Sequence, residues 1–266
     1  MKVLPWIYIA IIIFFAWFFS HIPSNNREWL LDQAIQPYTE RENDLVSIYN
    51  IRNFTYKSTT DFAVQYYNKT YDLNKLDTVW YIVEPFGTWT GPAHTFLSFG
   101  FGDEYVAVSV EVRKEKGEKY SALKGLFRQY ELIYIIGDEK DLIKLRSNYR
   151  NDTVYLYPLA VPKQKIRELF LHITYRTNSL KEKPEFYNTF SNTCTINIMR
   201  HINSIAPGYM PMSWKMLFPA YSDEYAYDLG LIPDGLPFDQ IREKYKINDK
   251  ARMYADDPEF SMKIRK

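Results

Sequence analysis

The stretch "HTFLSFGFGDEYVAVSVEVR", residues 94–113, constrains the fold more than any other part of the chain. Two apolar runs are broken by Gly102-Asp103, a hairpin turn signal in which glycine in the first loop position suits a type II′ turn. With a two-residue loop, Phe101 faces Glu104. Counting back along both strands then brings His94 opposite Glu111, with Cβ atoms roughly 5 Å apart on one face. A three-residue loop would put the two on opposite faces. The alternation supports the shorter loop. Thr95, Leu97, Phe99, Phe101, Val106, Val108, Val110 and Val112 share a face that is almost wholly apolar and needs a core. The other face carries His94, Phe96, Ser98, Gly100, Ala107, Ser109, Glu111 and Arg113. It is polar and mostly small, and is expected to leave room for a helix to lie close.

Around this hairpin the chain reads as α+β, with a mostly antiparallel sheet and helices packed on it. Strands are expected over 76–86, ended by Pro85 and Gly87, over 129–137 and over 153–159. A short helix over 138–146 has Asp138 as its cap, and a longer one over 162–180 has Pro162 at its start. Ile166, Leu169, Phe170 and Ile173 mark one face of the longer helix. Residues 28–60 read as a helical turn and a short lead-in strand. Beyond Pro207 the chain is rich in Pro, Gly and Tyr and is expected to wrap the domain. No repeat or low-complexity tract interrupts it.

At 266 residues the chain can bury a full core without disulfide staples. A net charge of +1 and the lack of a basic block argue against nucleic acid. Residues 3–20 carry no charge, and the next charged residue is Arg27. Such a run is long enough to span a bilayer. Lys2 ahead of it puts the N-terminus in the cytoplasm and the rest of the chain outside. Phe18-Phe19-Ser20 fits a signal-peptidase site badly, so cleavage is the second reading. The expected organisation is an N-terminal transmembrane anchor over 1–26 and one extracytoplasmic domain over 27–266.

That placement draws attention to Cys194, the one cysteine in the chain. An unpaired thiol in an oxidising compartment is a liability unless it is buried or used. Asn192 or Thr193 can cap a helix over 193–205, putting Cys194 in its first turn. The helix dipole, free N–H groups and a neighbouring imidazolium would all favour the thiolate there. The same N–H groups can serve as an oxyanion hole. Taken singly, a buried structural thiol is the commoner role for Cys194, a satisfied strand histidine for His94 and a solvated pair for Glu111. Taken together, cysteine at a helix start, histidine on a strand and an acid on the adjacent strand point to a cysteine nucleophile. His21 belongs to the anchor boundary, His172 lies mid-helix, and His201 is about two turns beyond Cys194 on its own helix. No His/Cys/Asp cluster has metal-ligand spacing, and there is no G-x-S-x-G or phosphate loop, so neither a metal nor a cofactor is expected.

At these residues the sequence resembles the Lnb N-terminal periplasmic domain family. The blocks that carry the likeness include "IRNFTY", "YDLNKLDTVW", "AHTFLSFGF", "VYLYPL", "PEFYNTFSNTCTINI" and "DPEFSMKIR", with the long run over 108–146, and they extend over about 27–266. The resemblance implies a permuted papain-like, NlpC/P60-like fold in which histidine precedes cysteine. It also implies a bacterial inner-membrane setting with the domain in the periplasm. It assigns Cys194, His94 and Glu111 as the catalytic set, with Asn192, Thr195 and Arg113 as candidates for substrate binding or oxyanion support. The family block usually reads Asn-Cys-Thr-Thr; here Thr193 stands between Asn192 and Cys194, and Ile196 stands in the last place. Arg128 and Glu131 fall in shared blocks without a role. The implied activity is lipoprotein N-acylation, with a phospholipid as acyl donor and a lipoprotein or other amine as acceptor. A cysteine hydrolase, peptidase or amidase, on the same fold and a non-catalytic envelope scaffold are the competing readings.

Overall fold

A computed structural model describes residues 4–87 and 91–266. The leading helix α1 runs Leu4–Ser20 and exposes nearly all of its apolar side chains. Among the described residues no helix is long and apolar enough to cross a membrane. The 17 described residues of α1 would cover only about 25 Å of a hydrocarbon core about 30 Å thick. The first three residues of the expected anchor, with Lys2, lie outside the described ones.

The domain that follows is mixed α+β. Strands β1 (Tyr38–Glu42), β2 (Leu45–Arg52), β3 (Thr55–Tyr56), β4 (Phe62–Ala63) and β5 (Tyr66–Asp72) precede β6 (Leu76–Pro85), β7 (Ala93–Phe101), β8 (Glu104–Arg113), β9 (Glu131–Gly137) and β10 (Tyr155–Pro158). Helices α2 (Ala122–Leu126), α3 (Glu139–Lys144), α4 (Lys163–Glu182), α5 (Cys194–Ile205), α6 (Trp214–Leu217), α7 (Ser222–Asp228), α8 (Phe238–Tyr245), α9 (Asn248–Met253) and α10 (Phe260–Lys263) complete it. The main sheet runs β1-β2-β9-β8-β7-β6-β10, with β5 also on β2. Its pairs are antiparallel except for β2 with β9, which meet in parallel at Arg52 and Gly137. The lead-in region is therefore a run of strands rather than one. Likewise, the segment beyond Pro207 holds five short helices among the described residues.

The β7–β8 hairpin has the two-residue loop, with Phe101 paired to Glu104 and Phe96 to Ser109. Gly102 takes φ +68°, a conformation open to glycine at the first position of such a turn. Both faces of the hairpin are buried. Leu97, Phe99, Val106 and Val108 pack with Ile166, Phe170 and Ile173 of α4 and with Cys194 and Ile198 of α5. Phe96 and Ala107 on the opposite face pack with Leu142, Ile143, Ala251, Phe260 and Ile264. The helix of Cys194 thus lies on the apolar face, not on the polar one as the pattern suggested. The polar face is covered instead by α3, a π-helical turn over Leu145–Arg150, and the C-terminal helices.

Two charges close that second layer. Glu139, fully buried, accepts from Ser98 Oγ at 2.5 Å and from Arg265 Nη2 at 2.5 Å. The Arg265 guanidinium also lies 3.6 Å from the Tyr105 ring centroid. Removing the cation would leave a carboxylate without water or counter-charge. Arg265→Ala is therefore expected to lower stability by about 3–5 kcal/mol, read as a fall in the urea midpoint, with Glu139→Gln recovering part of the loss. An unchanged midpoint would show that the tail is not part of the folded unit.

Candidate active site

The site forms where β7 and β8 part company. Their ladder ends at Phe96–Ser109, two residues short of His94. Beyond it β7 stays with β6, pairing His94 with Glu84 and Ala93 with Pro85, while β8 stays with β9 through Arg113. The gap between them lets side chains from both faces of the sheet meet. His94, Glu84 and Glu111 come from one face. Thr95 comes from the other, where its hydroxyl lies 3.1 Å from that of Thr195 at the start of α5.

His94 is held from behind by a chain of contacts. Its Nε2 lies 2.6 Å from Ser109 Oγ and 3.3 Å from Glu111 Oε1. The Ser109 hydroxyl donates its one hydrogen to Glu111 Oε1 at 2.6 Å, so its oxygen accepts from the imidazole N–H. Nδ1 is then the nitrogen left for the thiol. Glu111 Oε1 also accepts from Arg146 Nη2 at 2.8 Å, and Arg146 Nε donates to Glu84 Oε2 at 2.6 Å. Arg146 and Glu84 are buried. The π-helical turn positions Arg146, whose Nη1 also donates to Leu142 O at 2.7 Å. Such turns recur at functional sites because they re-aim one side chain without ending the helix.

The loop ahead of Cys194 is set by two asparagines. Asn188 Oδ1 accepts from the backbone N–H of Phe190 and of Ser191. Asn192 donates to Phe186 O at 2.8 Å, and its carbonyl accepts from Asn197 and Arg200 at 3.0 Å each. Thr193 then caps α5, accepting from Ile196 N at 3.3 Å, and Cys194 opens the helix with 7 % of its surface exposed.

The charges act on one another. Burial opposes a charge on His94, but Glu111 and then Cys194 outweigh it and take the imidazole pKa up to about 9. Burial likewise opposes the thiolate. The His94 charge overcomes it, with help from Thr95, and brings Cys194 down to about 7. Glu111 resists burial through His94, Arg146 and Ser109 and stays well below the usual carboxylate range. The pair titrates as a unit, and between those two limits the thiolate–imidazolium form is favoured.

Cys194, His94 and Glu111 line a cleft of about 640 Å³ whose walls are largely apolar, including Val110, Leu145, Tyr187, Phe190 and Phe218. Of the other expected residues, Thr195 is beside the thiol, its Oγ1 3.7 Å from Sγ. Asn192 serves the loop, with its amide taken up as described. Arg113 is turned away. It donates to Gln33 O, Ala34 O and Asn25 Oδ1 and lies 4.3 Å from the Trp29 ring centroid. Arg128 lies over Phe18 and Phe19 of α1, and Glu131 accepts from Ser24 N and pairs with Arg27. All three residues hold the segment leading out of α1. Sequence reasoning missed Glu84 and Arg146. The β6–β7 connection is too long to reveal register, and an arginine after a helical run carries no local mark of burial.

A family model described as the Lnb N-terminal periplasmic domain matches residues 62–220, and the chain belongs to that family. The match is narrower than the blocks quoted above suggest, yet it includes His94, Glu111, Arg146 and Cys194. Comparison with curated proteins and with solved structures finds no match.

Iodoacetamide reacts with thiolate, so its rate with Cys194 should rise with pH through about 7 and level off above. In His94→Ala the opposing charge is gone and burial remains, so the inflection should move above the ordinary thiol value of about 8.5. An unshifted inflection in that variant would mean that His94 does not stabilise the thiolate.

Proposed function

We propose that the chain is a membrane-anchored periplasmic cysteine acyltransferase. It moves an acyl chain from a phospholipid to Cys194 and then to an amine, as in lipoprotein N-acylation. The observation that carries this reading is a lone buried thiol at a helix start and an imidazole 3.3 Å from a carboxylate, together on the wall of one apolar cleft. The cleft falls within the ~300–1,000 Å³ typical of small-molecule pockets. Its apolar lining favours an acyl chain over a peptide. The order of histidine before cysteine is that of the permuted papain-like enzymes, which supports the same chemistry. In this reading the N-terminal segment over 1–26, which holds α1, is the anchor, and residues 27–266 lie in the periplasm.

The steps follow from the residues. The Cys194 thiolate attacks the ester carbonyl, and the first-turn N–H groups of α5 face the developing oxyanion. The His94 imidazolium gives its proton to the departing lysophospholipid oxygen as the ester C–O bond breaks. An amine then attacks the thioester, neutral His94 takes the proton it loses, and the thiolate leaves as the ion pair is restored. Glu111, held ionised by Arg146, stabilises the imidazolium throughout.

The test is intact-protein mass spectrometry of the full chain after incubation with phospholipid vesicles. A hydroxylamine-labile acyl adduct on Cys194 is expected, with amide formed when an amine-bearing peptide is added. Release of free fatty acid in place of amide would make the protein a hydrolase. No adduct on a thiol that still reacts with iodoacetamide would sink both enzymatic readings and favour a scaffold.

Cys194→Ser should lower transfer by orders of magnitude with the fold retained, and His94→Ala should be about as damaging because the two act together. Glu111→Gln should be milder, since the amide keeps a hydrogen bond. Transfer should follow a bell in pH. It rises through about 7 as the thiol ionises and falls through about 9 as His94 loses the proton that the leaving group needs. A flat profile over that range would contradict the ion pair's role.

A further inference from the structure

The mouth of the Cys194 cleft is ringed by side chains that a water-facing rim would not carry. Phe86, Tyr120, Phe190, Leu217 and Phe218 all line the cleft, and each is at least 40 % exposed. They come from four separate parts of the chain, so a single stray surface residue does not explain them. Contiguous exposed apolar surface of this kind marks a site of contact with a protein or a membrane.

Two further observations choose between those partners. The first is the position of α1. The Phe14 and Phe127 rings lie 5.9 Å apart, and Arg128 lies over Phe18 at 4.6 Å and Phe19 at 5.3 Å. Phe127 closes α2, and Ala122 at the start of α2 is on the cleft wall. The five residues of α2 span about 7 Å. Gly125 lets that helix press on the loop before Cys194, since a Cβ there would stand 2.4 Å from Thr189 Oγ1. An exposed, uncharged and mostly apolar helix thus meets the domain beside the cleft mouth. The second is charge. The segment over 114–128, which edges the cleft through Lys114, Tyr120 and Ala122, carries Lys114, Lys116, Lys119, Lys124 and Arg128 against Glu115 and Glu118. Cations beside an exposed apolar surface are the signature of docking on anionic lipid.

We propose that this rim is a membrane-docking surface that inserts into an anionic phospholipid bilayer beside α1, so that the cleft opens at the hydrocarbon edge. An acyl chain then reaches the cleft from the bilayer without crossing water. The docking rests on the rim, α1 and the charge alone; only the identity of the cargo rests on the acyltransferase reading above.

The experiment uses the full chain carrying Cys194→Ser, which removes the native thiol. Phe190→Cys or Phe218→Cys is added singly and labelled with nitrobenzoxadiazole. Asp103→Cys serves as control. It is exposed at the hairpin turn, about 30 Å from His94 along a nine-residue strand. Proteoliposomes of phosphatidylglycerol and phosphatidylethanolamine are prepared with and without doxyl-labelled chains. Doxyl lipid is expected to quench both rim labels at least twofold and to leave the Asp103→Cys label unchanged. Rim labels quenched no more than the control would overturn the proposal. So would rim labels that respond to protein density and not to doxyl lipid, which would identify a second copy as the occupant. Because Cys194 is absent here, the outcome is independent of acyl transfer. Quenching without a Cys194 adduct in the native chain would sink only the acyltransferase reading, and an adduct without quenching only the docking.

Discussion

The structure turns on a buried line of alternating charges: Glu84, Arg146, Glu111 and His94, ending at the Cys194 thiol. A charge buried alone costs several kcal/mol, so Arg146 is tolerable there because it meets a carboxylate on either side at hydrogen-bond distance. Arg146 Nε is 2.6 Å from Glu84 and its Nη2 is 2.8 Å from Glu111, which leaves little latitude in the backbone around them. The demand explains several features at once. β6 must pair with β7 in the register that sets Glu84 beside His94, and the turn after α3 must widen to a π geometry to aim Arg146. The β7–β8 ladder must also stop early so that an imidazole and a thiol from different layers can meet.

That early stop has a functional consequence. A continuous ladder would seal the two faces of the sheet from each other, with the helix of Cys194 on one and the histidine and acid on the other. Parting the strands at Phe96–Ser109 opens one gap at the sheet end, and the apolar cleft lies there. The thiol is thus nearly enclosed yet beside an imidazolium. Burial opposes its ionisation, while a charge felt through a poorly screening interior favours it strongly. The second effect wins and brings the thiol to about 7.

The segment leading out of α1 is tied down with unusual care for a stretch between a helix and a domain. Ser24 N and Arg27 meet Glu131, Asn25 binds Arg113 and two carbonyls at the end of α4, and Arg128 covers Phe18 and Phe19. Among these, Arg128 and Glu131 are residues that motif reading could only mark as shared, and Arg113 is one it set in the site. Together these contacts set how α1 leaves the domain.

By itself the sequence determined what local rules can carry. A glycine-led two-residue turn between alternating runs settles the hairpin register, because a slip of one residue would move every apolar side chain to the other face. That register put His94 and Glu111 on one face at the same end of the hairpin; the strands part before the two pair, and their side chains meet across the gap. Caps at Asp138 and Thr193 and the apolar spacing of α4 fixed three helices near their observed limits. The edge strand "YYNKTYD" and the short helices after Pro207 were not legible, since neither shows a sustained apolar period. Only the tertiary structure decided which face receives α5. The pattern offered a polar face with small residues, but an amphipathic helix goes where most apolar area is buried, and the polar face was needed for Arg146, Glu139 and Arg265. Glu84 and Arg146 could not be found from the chain because burial of a charge is a property of its partners, and those partners lie 62 and 35 positions away from Arg146.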